Sequence, residues 1–135
     1  MKTLSIKSLA VCAIAIMTLV SCSKKNDDVQ APPAEPIEGK WVGTFKGNSS
    51  NLVFYYAFNI KAGGKLEVLN QANNVLGTGT WKIEDGVFFS VYQYTGDETK
   101  YNLAAKYNEE EGTLNGSYGD GETDPSDGEF ELSKQ

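Results

Sequence analysis

Residues 51–60 read NLVFYYAFNI, and their apolar side chains alternate with a period of two. Alternation places one set of residues on one face of the segment, namely Leu52, Phe54, Tyr56, Phe58 and Ile60, and their sequence neighbours on the other. This period is typical of a β-strand, because successive side chains of a strand point to opposite sides of the sheet. Residues 100–107, KYNLAAKY, repeat the scheme. No segment has a convincing amphipathic helical pattern, so the sequence predicts an all-β domain.

Turn signals separate the predicted strands at short, even spacing: GNSSN, AGG, ANN, EDG, TGDE, NEEEG and GDGETDPSDG. Asp85-Gly86 is the sharpest of them, because glycine accepts the positive φ that a type I′ hairpin turn requires. Seven turns imply about eight strands, near 40–46, 51–61, 65–70, 75–83, 87–94, 99–107, 113–118 and 128–133. Consecutive antiparallel strands predict an up-and-down meander barrel, whose closure removes exposed strand edges. A two-sheet β-sandwich of the same strands is the alternative.

The N-terminal segment has the layout of a secretory signal peptide. Lys2 and Lys7 precede an apolar run from Leu9 to Val20, and Ser21 stands directly before Cys22. Leu19-Val20-Ser21-Cys22 resembles the lipobox of bacterial lipoproteins at all four positions. The resemblance implies cleavage after Ser21 and diacylation of Cys22, and several acyl chains make anchoring close to permanent. An uncleaved anchor helix, or a secreted protein with a free thiol, are the alternatives.

The residues that follow Cys22 predict a tether and an address. Residues 22–36 are polar and proline-bearing, and we expect a disordered spacer before a folded domain over 37–135. SKKNDD, residues 23–28, resembles the charged signal that sends some lipoproteins to the cell surface, although an ordinary linker fits as well. We therefore predict an outer-membrane lipoprotein, with surface exposure favoured. Cleavage would leave ten lysines against eighteen acids, a net charge of about −8. Nucleic-acid binding is excluded, because it depends on clustered Lys and Arg.

Gly39-Lys40-Trp41 on the first predicted strand is similar to the G-x-W motif of lipocalins and related calycin barrels. In those proteins the tryptophan packs across the closed end of the barrel. Residues 112–118, GTLNGSY, resemble the late strands of small lipocalin-like bacterial lipoproteins. The resemblance implies a lipocalin-like barrel over residues 39–135. The chain departs from the family in having no arginine to stack on Trp41 and in being short, so a transport role does not follow from it.

Aromatic residues supply the candidate sites. Alternation sends eleven of the fifteen inward: Trp41, Phe45, Phe54, Tyr56, Phe58, Trp81, Phe89, Tyr101, Tyr107, Tyr118 and Phe130. Side chains can just fill an eight-stranded barrel, or it can hold one small ligand. Five inward residues are therefore candidates to line a site for a small hydrophobic or aromatic ligand: Trp41, Phe54, Tyr56, Trp81 and Tyr101. Four residues assigned outward are candidate anchors for an envelope protein or glycan: Tyr55, Phe88, Tyr92 and Tyr94.

Catalysis is not predicted. The chain has no histidine, so the usual general base near neutral pH is missing, and lipidation would consume the thiol of Cys22. The acids from Asp120 to Glu131 imitate a calcium loop in spacing, but Pro125 stands where that loop needs glycine. Glu129 and Glu131 alternate with apolar residues and are expected outward, so we predict a solvated acidic turn and neither a metal site nor a cofactor. The sequence predicts a binding module that uses either a barrel-held ligand or a docking surface.

Overall fold

The computed structural model of the chain describes residues 36–135, and the predicted signal peptide, Cys22 and nearly all of the predicted tether lie outside that range. Eight strands follow one another: β1 Gly39–Gly47, β2 Phe54–Lys61, β3 Lys65–Leu69, β4 Val75–Glu84, β5 Val87–Tyr94, β6 Lys100–Asn108, β7 Thr113–Asp120 and β8 Gly128–Lys134. Each strand pairs antiparallel with its sequence neighbours, and β8 pairs with β1 to close a barrel. The predicted meander barrel is confirmed, and the sandwich alternative is wrong. Among residues 36–135 there is no helix long and apolar enough to cross a membrane.

The two ends of the barrel differ in the length of their connections. At the end where β1 begins and β8 finishes, which we call the proximal end, strands are joined by two to four residues. Asp85 and Gly86 both have positive φ there, 51° and 78°, so the predicted type I′ turn is confirmed. At the opposite, distal end the connections have five to seven residues, and one strand carries a bulge where Leu76 has no register partner. The longer loops therefore all lie at the distal end.

Aromatic rings from several strands fill the middle of the barrel. The ring centroid of Tyr56 lies 4.5 Å from that of Phe58 and 5.8 Å from that of Phe130, and Tyr92 lies 5.7 Å from Phe58. The buried cluster comprises Ile37, Trp41, Tyr56, Phe58, Ile60, Leu66, Val68, Phe88, Tyr92, Leu103, Ala105, Leu114, Phe130 and Leu132. At this level the interior is a packed core.

One glycine allows two strands to approach closely. Gly43 on β1 faces Leu132 on β8, and a Cβ built on Gly43 would lie 1.9 Å from the carbonyl oxygen of Glu131. No side chain fits at that distance from a backbone atom. The absence of a Cβ at residue 43 is therefore a condition for closing the barrel in this register.

The predicted orientation of β5 is wrong. Phe88 and Tyr92 are buried, at 0% and 4% exposure, and Tyr94 packs against the core, whereas Phe89 lies on the outer face. The two-residue turn pairs Ile83 with Phe88, and directly paired residues share a face of the sheet. Phe88 therefore points inward, as Ile83 does on β4. Ser90, two residues further on, points inward as well, although it is polar.

Candidate binding face at the distal end

All five large apolar side chains that are exposed on the described part of the chain lie at the distal end. Their exposed fractions are 65% for Leu52, 60% for Val53, 47% for Phe54, 49% for Val75 and 41% for Leu76. They belong to the β1–β2 connection, to the first residue of β2 and to the first two residues of β4, and these positions flank the hydrogen-bonded pair β2 and β3. Exposed apolar residues scattered singly need no explanation, whereas their restriction to one end makes that end the candidate binding face.

This side of the distal end carries no acid or base. No charged residue occurs between Lys46 and Lys61, and none occurs between Glu67 and Lys82. The β3–β4 loop is held by one of its own amides: Asn70 Oδ1 accepts hydrogen bonds of 2.9 Å from the backbone N–H groups of Ala72 and Asn74. We call residues 48–54 and 70–76 the apolar half of the distal end.

The other side of the distal end is acidic. Six carboxylates lie on the β5–β6 and β7–β8 connections and the adjacent end of β7: Asp97, Glu98, Asp120, Glu122, Asp124 and Asp127. Lys100 forms an ion pair with Glu122. A hydrogen bond from the backbone N–H of Thr99 lowers the pKa of Asp97, which keeps that carboxylate ionised. We call these six residues the acidic half.

Half-buried aromatic rings mark the inner side of the distal end. Tyr94 and Tyr101 meet edge to face at 5.4 Å, Tyr101 stacks on Tyr92 at 5.4 Å, and Phe45 stacks on Phe54 at 5.3 Å. The Tyr101 hydroxyl donates a 3.3 Å hydrogen bond to Asp97, and partial burial together with that carboxylate raises the pKa of Tyr101. Of these contacts, the stacking of Phe45 on Phe54 reaches an exposed side chain of the face directly.

A buried hydroxyl pair lies beneath this layer. The oxygens of Tyr56 and Tyr92 are 2.7 Å apart, and burial raises the pKa of both phenols well above their usual value. One hydroxyl donates this hydrogen bond and the other accepts it, so the pair accommodates two polar atoms in an aromatic core. The pair has a structural role and does not offer a reactive group at the surface.

The five predicted ligand-lining residues do not form one site. Trp41 is fully buried at the proximal end, where its indole N–H donates a 2.7 Å hydrogen bond to the carbonyl of Ile37. Trp81 also lies toward the proximal end and donates to the carbonyl of Lys61 at 2.8 Å. Phe54 and Tyr101 lie at the distal end. Tyr56 belongs to the packed core between the distal pair and the two tryptophans. Packed rings separate the two groups.

The four predicted partner anchors are also divided. Tyr55 lies half-buried on the outer face of β2, whereas Phe88 and Tyr92 are core residues and Tyr94 belongs to the distal aromatic layer. Phe89, which was predicted inward, lines an outer groove of about 420 Å³ together with Val91, Ala104 and Pro125, and the ammonium of Lys82 lies 5.7 Å above its ring.

Sequence reasoning did not single out Leu52, Val53, Val75 and Leu76 as an exposed group, because it placed all four inside predicted strands. The signal that could have found them is the pair of charge-free runs described above.

The acidic half does not have the arrangement of a metal site. Within residues 36–135 no three acids come together in a way that could hold a metal ion. Glu129 and Glu131 project from the outer face of β8, as predicted, and Glu129 forms a 3.4 Å ion pair with Lys46. Asp127 Oδ2 accepts a 2.7 Å hydrogen bond from the backbone N–H of Asp120, which holds the turn. The carboxylates of this half therefore act through charge and through support of their own loop.

No family model, no curated protein and no solved structure matches this chain.

Proposed function

We propose that this protein is a non-enzymatic binding module of the bacterial outer membrane, anchored by lipid on Cys22, which binds an envelope partner through the distal end of its barrel. The observation that carries the proposal is the confinement of all five exposed large apolar residues of the described chain to that end. The stacking of Phe54 on Phe45 favours binding, because a preorganised side chain loses little conformational entropy on association.

The packed core favours surface docking over a ligand held inside the barrel. A site lined by the five residues predicted for it would need the rings of Tyr56, Phe58 and Tyr92 to part, and each of these is buried to at least 96%. Opening such a core costs several kcal/mol, since the loss of one aromatic contact set alone costs about 3 to 5 kcal/mol. A small apolar ligand between the rings is therefore the less favoured mode.

Site-specific photo-crosslinking in bacterial cells tests the use of the distal end. A photoreactive phenylalanine analogue at residue 52 or 76 should give a discrete crosslinked product. The same analogue at Glu110, in the proximal connection, serves as the matched control. The product from residue 52 should disappear when Leu76→Ser is introduced into the same chain. Equal products from both ends, or none from the distal end, would refute the proposal.

Anchoring is tested separately. Radiolabelled palmitate should label the full chain and should not label Cys22→Ala, and the variant should leave the membrane fraction. Labelling that persists in Cys22→Ala would reject the lipid anchor without affecting the distal binding face.

A further inference from the structure

We infer that the partner presents a cationic amphipathic segment of protein, whose apolar side chains cover the apolar half of the distal end and whose Lys or Arg side chains face the acidic half. This inference rests on the proposed function and adds the chemistry of the partner. It follows from the charge division of a single surface: one half has no ionised group, and the other has six carboxylates and one lysine.

The acidic half keeps its charge at neutral pH. Its only base is Lys100, which is paired with Glu122, so at least five carboxylates are left without a lysine in this half. The pKa of Asp97 is lowered, which places it further from protonation. Five of the six side chains are exposed and the sixth, Asp97, is half-exposed, so they present their field to an approaching partner. Such complementarity governs the rate of encounter and the choice of partner more than the final affinity.

The same charges argue against a membrane surface as the occupant. Phosphate headgroups that reached the apolar half would also come close to the six carboxylates of the acidic half, and like charges repel within about one Debye length. An interfacial membrane-binding element instead surrounds its apolar residues with Lys and Arg. The distal end has the reverse arrangement.

A neutral glycan fits less well than a peptide. Four of the five exposed side chains, Leu52, Val53, Val75 and Leu76, are aliphatic, and the ring of Phe54 is stacked on Phe45. Sugars stack on exposed aromatic faces, whereas the centre of a protein interface is apolar and depleted of charged residues, as this half is. The electrostatic field of six carboxylates would also not steer the approach of an uncharged sugar.

The test uses the full chain in zwitterionic nanodiscs, with empty nanodiscs as the blank. The probe is a synthetic amphipathic peptide of leucine and lysine, compared with the same peptide carrying glutamine in place of lysine. Binding is measured by fluorescence anisotropy at low and high salt, about 0.01 M and about 1 M, because exposed charges act over about 30 Å in the first case and about 3 Å in the second.

Two matched charge variants locate the effect. The distal variant combines Glu98→Gln, Glu122→Gln and Asp124→Asn. The control combines Glu109→Gln, Glu110→Gln and Glu111→Gln in the proximal β6–β7 connection, and it removes the same number of charges as the distal variant. We expect the distal variant to weaken lysine-peptide binding about tenfold at low salt, because each exposed ion pair contributes only part of that change and three are removed together. The control should weaken binding less than about twofold.

A pair of apolar variants separates this inference from the proposed function. Leu52→Ser with Leu76→Ser should weaken both peptides, and Leu52→Met with Leu76→Met should weaken neither. If both peptides bind equally and the distal charge variant has no effect, the cationic partner is rejected, while serine sensitivity keeps the distal face. An equal effect of the proximal control, or no binding of the lysine peptide, also rejects the cationic partner. If the serine variant changes nothing for peptides that do bind, both proposals fail. If the full Cys22→Ala chain sediments with zwitterionic vesicles, and adding Leu52→Ser and Leu76→Ser abolishes this, the occupant of the distal end is a lipid surface and the peptide partner is rejected.

Discussion

Removal of the hydroxyl of Tyr56 or Tyr92 tests both the core and the orientation of β5. The two oxygens are 2.7 Å apart, and both residues are less than 5% exposed. Tyr56→Phe and Tyr92→Phe should each lower the free energy of unfolding by about 1 to 3 kcal/mol, because each substitution leaves a buried hydroxyl without its partner. The double variant should cost less than the sum by about 1 kcal/mol or more, since it removes both polar atoms together. Urea unfolding followed by tryptophan fluorescence measures all three.

The control is Tyr55→Phe on the outer face, where the free energy of unfolding should change by less than about 0.5 kcal/mol. If Tyr92→Phe behaved like this control, and the two core substitutions were additive, Tyr92 would face solvent. The packing derived for β5 would then be incorrect.

Three further outcomes follow from the same structure. The pKa values of the two buried tyrosines are raised, so above about pH 10 the unfolded chain releases protons that the folded chain retains. The free energy of unfolding should therefore be unaffected below that pH and fall by about 1 to 3 kcal/mol per pH unit above it. A urea midpoint that stays constant between about pH 9 and 11 would contradict this. Gly43→Ala should destabilise the barrel by more than about 2 kcal/mol in urea unfolding. The control Gly47→Ala should be nearly neutral, because its Cβ would meet its nearest atom at 3.4 Å. Equal effects of the two substitutions would reject the close approach of β1 and β8 at Gly43. Phe58→Ala should cost about 3 to 5 kcal/mol and Phe54→Ala clearly less, because they are 0% and 47% exposed; similar Tm values would refute this difference.

Much of the fold was predictable, because turn chemistry and alternation act locally. The predicted strand bounds differ from those observed by no more than three residues, and Asp85-Gly86 takes the predicted turn. Alternation also assigned the faces of β2 and β6 correctly, since one face of each strand carries the large apolar residues and neighbouring polar residues mark the other.

The orientation of β5 was not predictable from alternation alone, because both of its faces carry large apolar residues. Register resolves it: a two-residue turn that pairs Glu84 with Val87 carries the inward phase of Trp81 to Phe88. The exposed distal residues were missed for a different reason. Leu52 and Val53 continue the alternation of β2 in sequence, but the strand begins only at Phe54, where pairing with β1 begins.

The β1–β8 ladder has a consequence for the order of folding. Seven of the eight ladders join strands that are neighbours in sequence, whereas Trp41 and its β8 partner Lys134 are 93 positions apart in the sequence. The hairpins can form early at a small cost in chain entropy, but this seam requires both ends of the domain to meet. Backbone amides along the seam should therefore gain protection last in pulsed hydrogen exchange, and Gly43 sits within it. Closure of the cylinder, and not the assembly of any hairpin, therefore sets how long a folding chain exposes the unpaired edges of β1 and β8. During that time the two edges are open to pairing with other chains, which is a route to aggregation.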